Sequence, residues 1–291
     1  MRTVYILIAA VAAAAMTALW VLHNQPQSGS TVATNTAFER IMQTGVIRCG
    51  YTAWDPMLKV DPTTKEVSGL AHDVMEAAAK YLDLKVEWTE EVGWGEFNQA
   101  LQNQRFDVFC AGGTPNGERA KVTLTTLPFV YTDFGVIVRA DDTRFDANAQ
   151  RLNQPDIRFG QLDGTTAVKI IRDGFPAAKL KGYPETIPLS QMAIDIATGK
   201  LDASLIPITV MHLYNQQHPG ALKRLEGVGA NRNLPNVFFV SRHEPQLKHL
   251  LDTAITEVLD AGVVYRSIKQ HQTAVGAYLL PAKPYQPEPI R

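Results

Sequence analysis

Two parts of this chain repeat one order of elements: a strand-like run, a turn that contains glycine and threonine, and a helix. In the first part the apolar run 106–111 leads into the turn 112–119, and in the second part the run 157–161 leads into residues 162–166. Further strand-like and helical runs alternate around both turns. This alternation predicts an α/β fold with two lobes, each a mostly parallel sheet flanked by helices. Two such lobes usually face a ligand across a cleft.

The turn that follows the first of these runs has the composition of an anion-binding site. Gly112 and Gly113 allow the backbone to approach a ligand closely. Thr114 adds a hydroxyl group, and Arg119 adds a rigid fork of N–H donors that matches a carboxylate. Because the turn follows a predicted strand, we expect it at the carboxyl end of a sheet, where open α/β sheets bind ligands. A solvated turn with a surface arginine is the alternative interpretation.

The N-terminus indicates export from the cytoplasm. A short basic start at Arg2 precedes an apolar run without charge that extends from Val4 to Leu22. Such a run fits either a cleaved signal peptide or an uncleaved membrane anchor within residues 1–27. Bulky residues such as Trp20 stand where a cleavage site would need small ones, which favours the anchor. We therefore expect a periplasmic protein, tethered to the inner membrane where the apolar helix is retained.

Composition and cysteine content narrow the chemistry. The chain has 291 residues, enough for two modest domains, and its net charge of −1 gives no indication of nucleic-acid binding. Cys49 and Cys110 lie near the ends of predicted strands. An oxidising compartment is compatible with a disulfide between them and also with two buried thiols. No zinc site is expected, because two cysteines without a histidine at ligand spacing cannot complete a tetrahedral shell.

Short segments match, in order, those of one known family: Gly69 with Asp73, Trp94 with Phe97, Asp107, Thr114 with Arg119, Phe129, Asp163 with Thr165, Asp202 with Ala203, and Gly262 with Tyr265. Through this order, residues 38–271 resemble the extracellular solute-binding proteins of family 3, which feed polar amino acid ABC transporters. The order of the segments carries the resemblance, since each segment alone is common.

The resemblance implies the two-lobed periplasmic binding protein fold of type II, with two strand hinges near Val138 and near Val237. It also implies a monomer that closes around a small-molecule carboxylate and delivers it to ABC transporter permease subunits. The chain then divides into the signal or anchor (1–27), a linker (28–37), lobe 1 (38–137 and 238–278), lobe 2 (138–237) and a proline-rich tail (279–291).

The same resemblance implies a set of ligand contacts. Thr114 and Arg119 match the family's carboxylate clamp, and Gly113 matches the position whose carbonyl receives the ligand's amino group. Thr165 matches the opposite lobe's helix start, whose backbone N–H groups would meet the same carboxylate. Trp54 matches the aromatic residue that covers the ligand, with an ordinary core position as the alternative. The expected ligand-binding residues are Trp54, Gly113, Thr114, Arg119, Gly164, Thr165 and Thr166; no catalytic residue, metal or cofactor is expected.

One position departs from the family pattern. In the family an acidic residue commonly follows the pair that matches Asp202 and Ala203 by a few positions, where it pairs with the ligand's ammonium group. Here that position falls on Pro207, and no acid lies beside it. An ammonium group without a partner would be costly to desolvate. We therefore expect a small carboxylate-bearing ligand, an amino acid or a related organic acid, that need not be a standard α-amino acid. A small organic acid or a modified amino acid would fit.

Three functions fit the sequence, and we expect the first. It is a solute receptor for an ABC-type importer, without enzymatic activity. The second is a dehydratase-like enzyme on the same fold that acts on a prephenate-like acid. It would need a positioned acid or base, for which Asp55, His72 and Asp163 are candidates. The third is an envelope accessory or signalling module that binds a protein partner, which would suit an uncleaved anchor and the tail 279–291.

Overall fold

The computed structural model describes residues 36–271 and 275–282, so the predicted signal or anchor lies outside the described residues. Among the described residues, no helix has the length and apolar character needed to cross a membrane. The eight α-helices of this part are α1 (Ala37–Thr44), α2 (Leu70–Tyr81), α3 (Phe97–Gln102), α4 (Thr166–Gly174), α5 (Ser190–Ala197), α6 (Ile208–Gln217), α7 (Pro245–Asp260) and α8 (Val263–His271).

Thirteen strands complete the described fold, most of them in one curled sheet. They are β1 (Val46–Tyr51), β2 (Lys59–Val60), β3 (Val67–Ser68), β4 (Lys85–Glu91), β5 (Val108–Gly113), β6 (Thr123–Thr125), β7 (Val130–Arg139), β8 (Arg158–Leu162), β9 (Lys179–Tyr183), β10 (Ala203–Pro207), β11 (Leu222–Arg224), β12 (Arg232–Ser241) and β13 (Tyr278–Leu279).

The sheet contains one parallel set of strands for each lobe. In lobe 1, β1 lies between β4 and β5 and is parallel to both. In lobe 2, β8 lies between β9 and β10 and is again parallel to both. Every residue of β5 is buried, as is typical of a parallel strand that is covered on both faces. The predicted two-lobed α/β fold, with mostly parallel sheets and flanking helices, is confirmed.

Two long antiparallel strands, β7 and β12, connect the lobes. Residues 130–134 of β7 pair with residues 232–236 of β12, and beyond this stretch each strand continues into a different lobe. Val237 begins the part of β12 that pairs with β5 of lobe 1. Val138 instead pairs with Ala203 and is buried in the core of lobe 2. The hinge was expected near Val138, but β7 already belongs to lobe 2 at that residue. The strand therefore passes from lobe 1 to lobe 2 several residues before Val138.

Each lobe buries one aspartate at the start of a central strand. In lobe 1, the carboxylate of Asp107 is held by the side chains of Arg40 and Arg48. In lobe 2, the carboxylate of Asp202 accepts from the Arg158 side chain at 2.8 Å and from the Arg144 side chain at 2.7 Å. Both aspartates also accept a backbone N–H from the neighbouring strand. These pairs fix the start of the strand whose far end borders the cleft.

Replacing Asp202 by asparagine is expected to lower the free energy of unfolding near pH 7 by about 2–3 kcal/mol. The two arginines and the backbone N–H hold the pKa of Asp202 at about 2, although burial alone would raise it. A depressed carboxyl pKa stabilises the fold above its unfolded value and loses this effect as the pH falls towards about 2. The difference between wild type and variant, measured by denaturant unfolding, should therefore shrink between pH 4 and pH 2. A difference that is constant with pH would contradict this origin.

A disulfide joins Cys49 of β1 to Cys110 of β5. Both cysteines are fully buried in the core of lobe 1. Their strands are adjacent and parallel, so the bond ties together two strands that end at the cleft. The alternative of two free thiols does not apply to this structure.

Candidate ligand-binding site

The turn after β5 forms a fixed loop that turns Arg119 inward. The side-chain oxygen of Asn116 accepts the backbone N–H groups of Glu118 at 3.0 Å and of Arg119 at 2.9 Å. A short 3-10 helix begins at Arg119. Only 3% of the Arg119 residue is exposed to solvent, so the alternative of a surface arginine on a solvated turn does not hold.

The guanidinium of Arg119 lies between the lobes. Its Nη1 donates to the carbonyl of Thr114 in lobe 1 at 2.7 Å, and its Nη2 donates to the carbonyl of Gly164 in lobe 2 at 2.9 Å. The rings of Phe97 and Trp94 lie within 4.8 and 5.6 Å of its central carbon. Such aromatic faces stabilise a buried cation.

Within the described residues, Arg119 forms no ion pair with a carboxylate. Glu185 and Glu118 act on it only at a distance, and burial lowers the pKa of Arg119 to about 10. The group therefore still carries its positive charge at neutral pH. A buried cation is costly unless an anion compensates it. The site is therefore well suited to bind an anion that brings its own negative charge into the cleft.

The start of α4 contributes the lobe 2 side of the site. Thr165 is extended and precedes the first helical residue, and its hydroxyl donates to the carbonyl of Leu162 at 2.8 Å. The Thr166 hydroxyl donates to the Thr114 carbonyl at 3.3 Å and accepts from the Asn116 amide at 3.2 Å. The first backbone N–H groups of a helix have no partner within it. They favour an anion, together with the positive end of the helix dipole.

A small cavity of about 50 Å³ lies between the two lobes beside Arg119. Six of the seven expected contact residues line it, and Gly164 holds Arg119 by its carbonyl oxygen. Arg119 is the charged residue among the lining residues, and most of the remainder are apolar. The lining residues are Trp54, Trp94, Gly113, Thr114, Arg119, Phe134, Gln161, Leu162, Thr165, Thr166, Ala167, Leu189 and Leu234.

Trp54 forms one wall of the cavity in a fixed orientation. Its indole N–H donates to the carbonyl of Ala111 at 2.6 Å, and its ring meets Trp94 edge to face with 5.9 Å between centroids. Gly113 lies next to this pair, and a Cβ there would be only 2.9 Å from the Trp94 ring. A glycine at this position thus lets the tryptophan ring approach the strand end.

Comparison with known proteins identifies the family. The profile of the bacterial extracellular solute-binding proteins, family 3, matches residues 47–273. The chain belongs to this family. The glutamate-binding protein GluB of Corynebacterium glutamicum is 23% identical over 195 residues, which are 65% of this chain and 64% of that relative. The chain therefore aligns with less than two thirds of the length of that curated relative.

Solved structures show the same fold at low sequence identity. The ancestral amino acid-binding protein AncCDT-1, a precursor of cyclohexadienyl dehydratase, matches with a TM-score of 0.68 at 22% identity over 82% of this chain and 100% of that one. An amino acid ABC transporter substrate-binding protein from Streptococcus pneumoniae, bound to L-arginine, matches with a TM-score of 0.67 at 19% identity over 81% of this chain and 97% of that one. The predicted resemblance is confirmed at the level of family and fold.

This family member has no acid at the position where the family pattern predicts one. Pro207 ends β10 and pairs with Phe134 of β7, so it belongs to the wall behind the cavity. Among the described residues that line the cavity, none is acidic. The polar atoms of Gln161 are already bound, because its amide donates to the Leu205 carbonyl and accepts from the Leu162 N–H. The cavity is thus cationic at Arg119 and mostly apolar elsewhere.

None of the three candidate acids or bases is among the residues that line the cavity. Asp55 is exposed and lies 3.3 Å from the ammonium group of Lys59. His72 stacks on Trp88 at the surface of lobe 1, with 5.2 Å between ring centroids. Asp163 lies beside Gly182, outside the set of lining residues. Their positions give no support to the dehydratase-like alternative.

Replacing Gly164 by alanine is expected to hinder closure of the lobes and to weaken ligand binding by about tenfold. Gly164 has φ of 72°, and a Cβ there would lie 2.8 Å from the backbone nitrogen of Gly95 in the other lobe. Small-angle X-ray scattering should show a larger radius of gyration for the variant. The control is Gly117→Ala, since a Cβ at Gly117 meets nothing within 4 Å. Equal scattering for wild type and Gly164→Ala would contradict this role.

Proposed function

We propose that this protein is a periplasmic receptor that captures a small carboxylate between its two lobes. The observation that carries this proposal is the buried guanidinium of Arg119, which contacts both lobes and has no carboxylate partner among the described residues. A ligand carboxylate would supply the missing negative charge and match the planar fork of donors. The helix start at Thr166 would face the same anion.

We further propose that the ligand has no α-ammonium group and is compact. The lining offers one cation and no acid, so an ammonium group would be desolvated without an acidic partner. The cavity of about 50 Å³ is small, which favours a compact acid. A small monocarboxylate would fit such a space. The apolar walls at Phe134, Leu189 and Leu234 suit its hydrocarbon end.

Ligand capture requires no covalent step. The carboxylate would contact Arg119 and the start of α4 together only when the lobes are closed, so it would shift the population towards the closed form. Membership of a family of extracellular solute-binding proteins supports delivery of the ligand to the permease subunits of an ABC-type importer. In this proposal the protein acts as a monomer, and the N-terminal apolar residues, which lie outside the described part, hold it at the inner membrane.

A thermal-shift screen of the full purified chain tests the proposal. The panel contains acetate, propionate, lactate and pyruvate, with glycine, alanine, glutamate and arginine as amino acids. A ligand at a hundred times its dissociation constant stabilises the fold by about 2.7 kcal/mol, which should raise the unfolding midpoint by about 5–10 °C. Stabilisation by standard amino acids alone would contradict the proposed absence of an ammonium site. No shift with any compound would contradict the receptor function.

A further inference from the structure

Glu185 links the two lobes outside the ligand cavity. It follows β9 in lobe 2, and its two carboxylate oxygens lie 3.1 and 3.0 Å from the backbone nitrogen of Gly95 in lobe 1. Gly95 precedes α3 and follows Trp94, which lines the cavity. Glu185 itself lines a second, larger groove, which shares Trp94 and Leu162 with the cavity. The contact therefore joins the lobes beside the ligand site without being part of its lining.

Three glycines surround this carboxylate. A Cβ at Gly93 would overlap the Oε2 atom of Glu185, and a Cβ at Gly95 would lie 2.7 Å from its Oε1 atom. A Cβ at Gly164 would lie 3.0 Å from the same oxygen. A Cβ at Gly93 or Gly95 would come closer than 3.0 Å and force the Glu185 side chain to shift, and a Cβ at Gly164 would be a tight contact. The absence of side chains at these three positions therefore leaves room for the carboxylate where it lies.

The charge of Glu185 also acts on the ligand-binding arginine. Among the charges that surround Arg119, Glu185 is the strongest that favours the protonated guanidinium, and it opposes the effect of burial. This carboxylate is a distant neighbour, since Arg119 forms its hydrogen bonds with backbone carbonyl groups. In the closed form, Glu185 therefore partly compensates the buried cation before any ligand carboxylate arrives.

We propose that Glu185 is a positioning residue that favours closure of the lobes in the absence of ligand. This inference rests on the proposed receptor function and deepens it. A compact ligand makes few contacts, so little of its binding energy can be used to close the cleft. When only a fraction of the molecules is in the binding-competent form, the apparent dissociation constant equals the intrinsic constant divided by that fraction. The contact between the Glu185 carboxylate and Gly95 raises the population of the closed form and so raises the affinity for a small acid.

Distance measurements between the lobes of the unliganded full chain test this role. The native cysteines are joined, so two introduced cysteines, at exposed positions Gln102 of α3 and Arg172 of α4, can carry spin labels. Glu185→Ala should lower the ratio of closed to open molecules by about tenfold, since a charge-assisted hydrogen bond is lost. Glu185→Gln keeps one oxygen acceptor and should give an intermediate ratio. The matched control is Glu257→Gln, an exposed glutamate on α7, which should leave the ratio unchanged.

The outcomes separate this inference from the proposed function. A closed-to-open ratio within twofold of wild type in Glu185→Ala, or an equal change in Glu257→Gln, would overturn the role of Glu185. Because these measurements use no ligand, that result would not bear on the proposed binding of a carboxylate, which the thermal-shift screen tests separately. If the screen identifies acids that bind, Glu185→Ala should lower the affinity for each of them by the same factor. A change in the order of preference among acids would overturn the inference, since it would place Glu185 against the ligand.

Discussion

Alanine in place of Arg119 is expected to weaken carboxylate binding by about 10²- to 10³-fold, equivalent to about 3–4 kcal/mol. The variant loses the cavity's positive charge and also the hydrogen bond that reaches the carbonyl of Gly164 in the other lobe. Isothermal titration with the acid that gives the largest thermal shift in wild type measures the effect directly. Arg172→Ala, which removes an exposed arginine from α4, is the control and should bind as wild type does.

The conservative variant Arg119→Lys separates charge from geometry. The introduced ammonium group would not be able to donate to two carbonyls and to a planar carboxylate at once, because it lacks the rigid fork of a guanidinium. We expect Arg119→Lys to bind more weakly than wild type and more tightly than Arg119→Ala. Wild-type affinity in Arg119→Ala would contradict the assignment of the clamp. Wild-type affinity in Arg119→Lys would show that charge alone is recognised.

Local sequence, together with the family resemblance, predicted which residues of two turns would line the cavity, and their role as a carboxylate clamp stays a prediction. A turn of two glycines, a threonine and an arginine after a buried strand has a limited number of chemical uses, and the structure brings Gly113, Thr114 and Arg119 to one cavity with Thr165 and Thr166. These residues belong to two short segments, each directly after a strand. The order of strands and helices places both segments at the cleft.

The rest of the cavity could not be predicted in this way, because its walls depend on how the lobes meet. Phe134 and Leu234 lie on the two connecting strands, and Leu189 precedes α5. As apolar residues in strands and loops, they have the same appearance in the sequence as ordinary core residues. The one available signal is that Phe134 and Leu234 both belong to strands that pass between lobes. The hinge expected near Val138 was misplaced for a related reason, since a continuous strand gives no sign of where it leaves one core for the next.

Glu185 illustrates the same limit more sharply. It stands in a polar loop, and its partner is the backbone of a glycine that is 90 positions earlier in the chain. Glycines at positions 93, 95 and 164 would each be interpreted from the sequence as turn residues. Their shared role, leaving room for one carboxylate, exists only when the lobes are closed. A missing acid at Pro207 was visible in the sequence, whereas an acid that acts between the lobes was not.

Removal of the disulfide is expected to lower the free energy of unfolding by about 4 kcal/mol. The bond closes a loop with a sequence separation of 61, and a cross-link across a loop of that length restricts the unfolded chain by about this amount in the chain-entropy treatment. The double variant Cys49→Ala with Cys110→Ala, compared with wild type by denaturant unfolding, measures the loss. The slope of the free energy with denaturant should also rise, because an unlinked chain exposes more surface when it unfolds.

The effect on ligand binding should be smaller than the effect on stability. Cys110 lies on the strand that ends at Gly113, but the backbone pairing between β1 and β5 remains when the bond is absent. We expect the folded double variant to bind the same acid within a few-fold of wild type. Wild-type protein unfolded and refolded under reducing conditions provides the matched control, since it keeps both side chains and loses only the bond. If reduced wild type were as stable as the oxidised protein, the cross-link would contribute nothing, and the stability of lobe 1 would have to be attributed to its packed core alone.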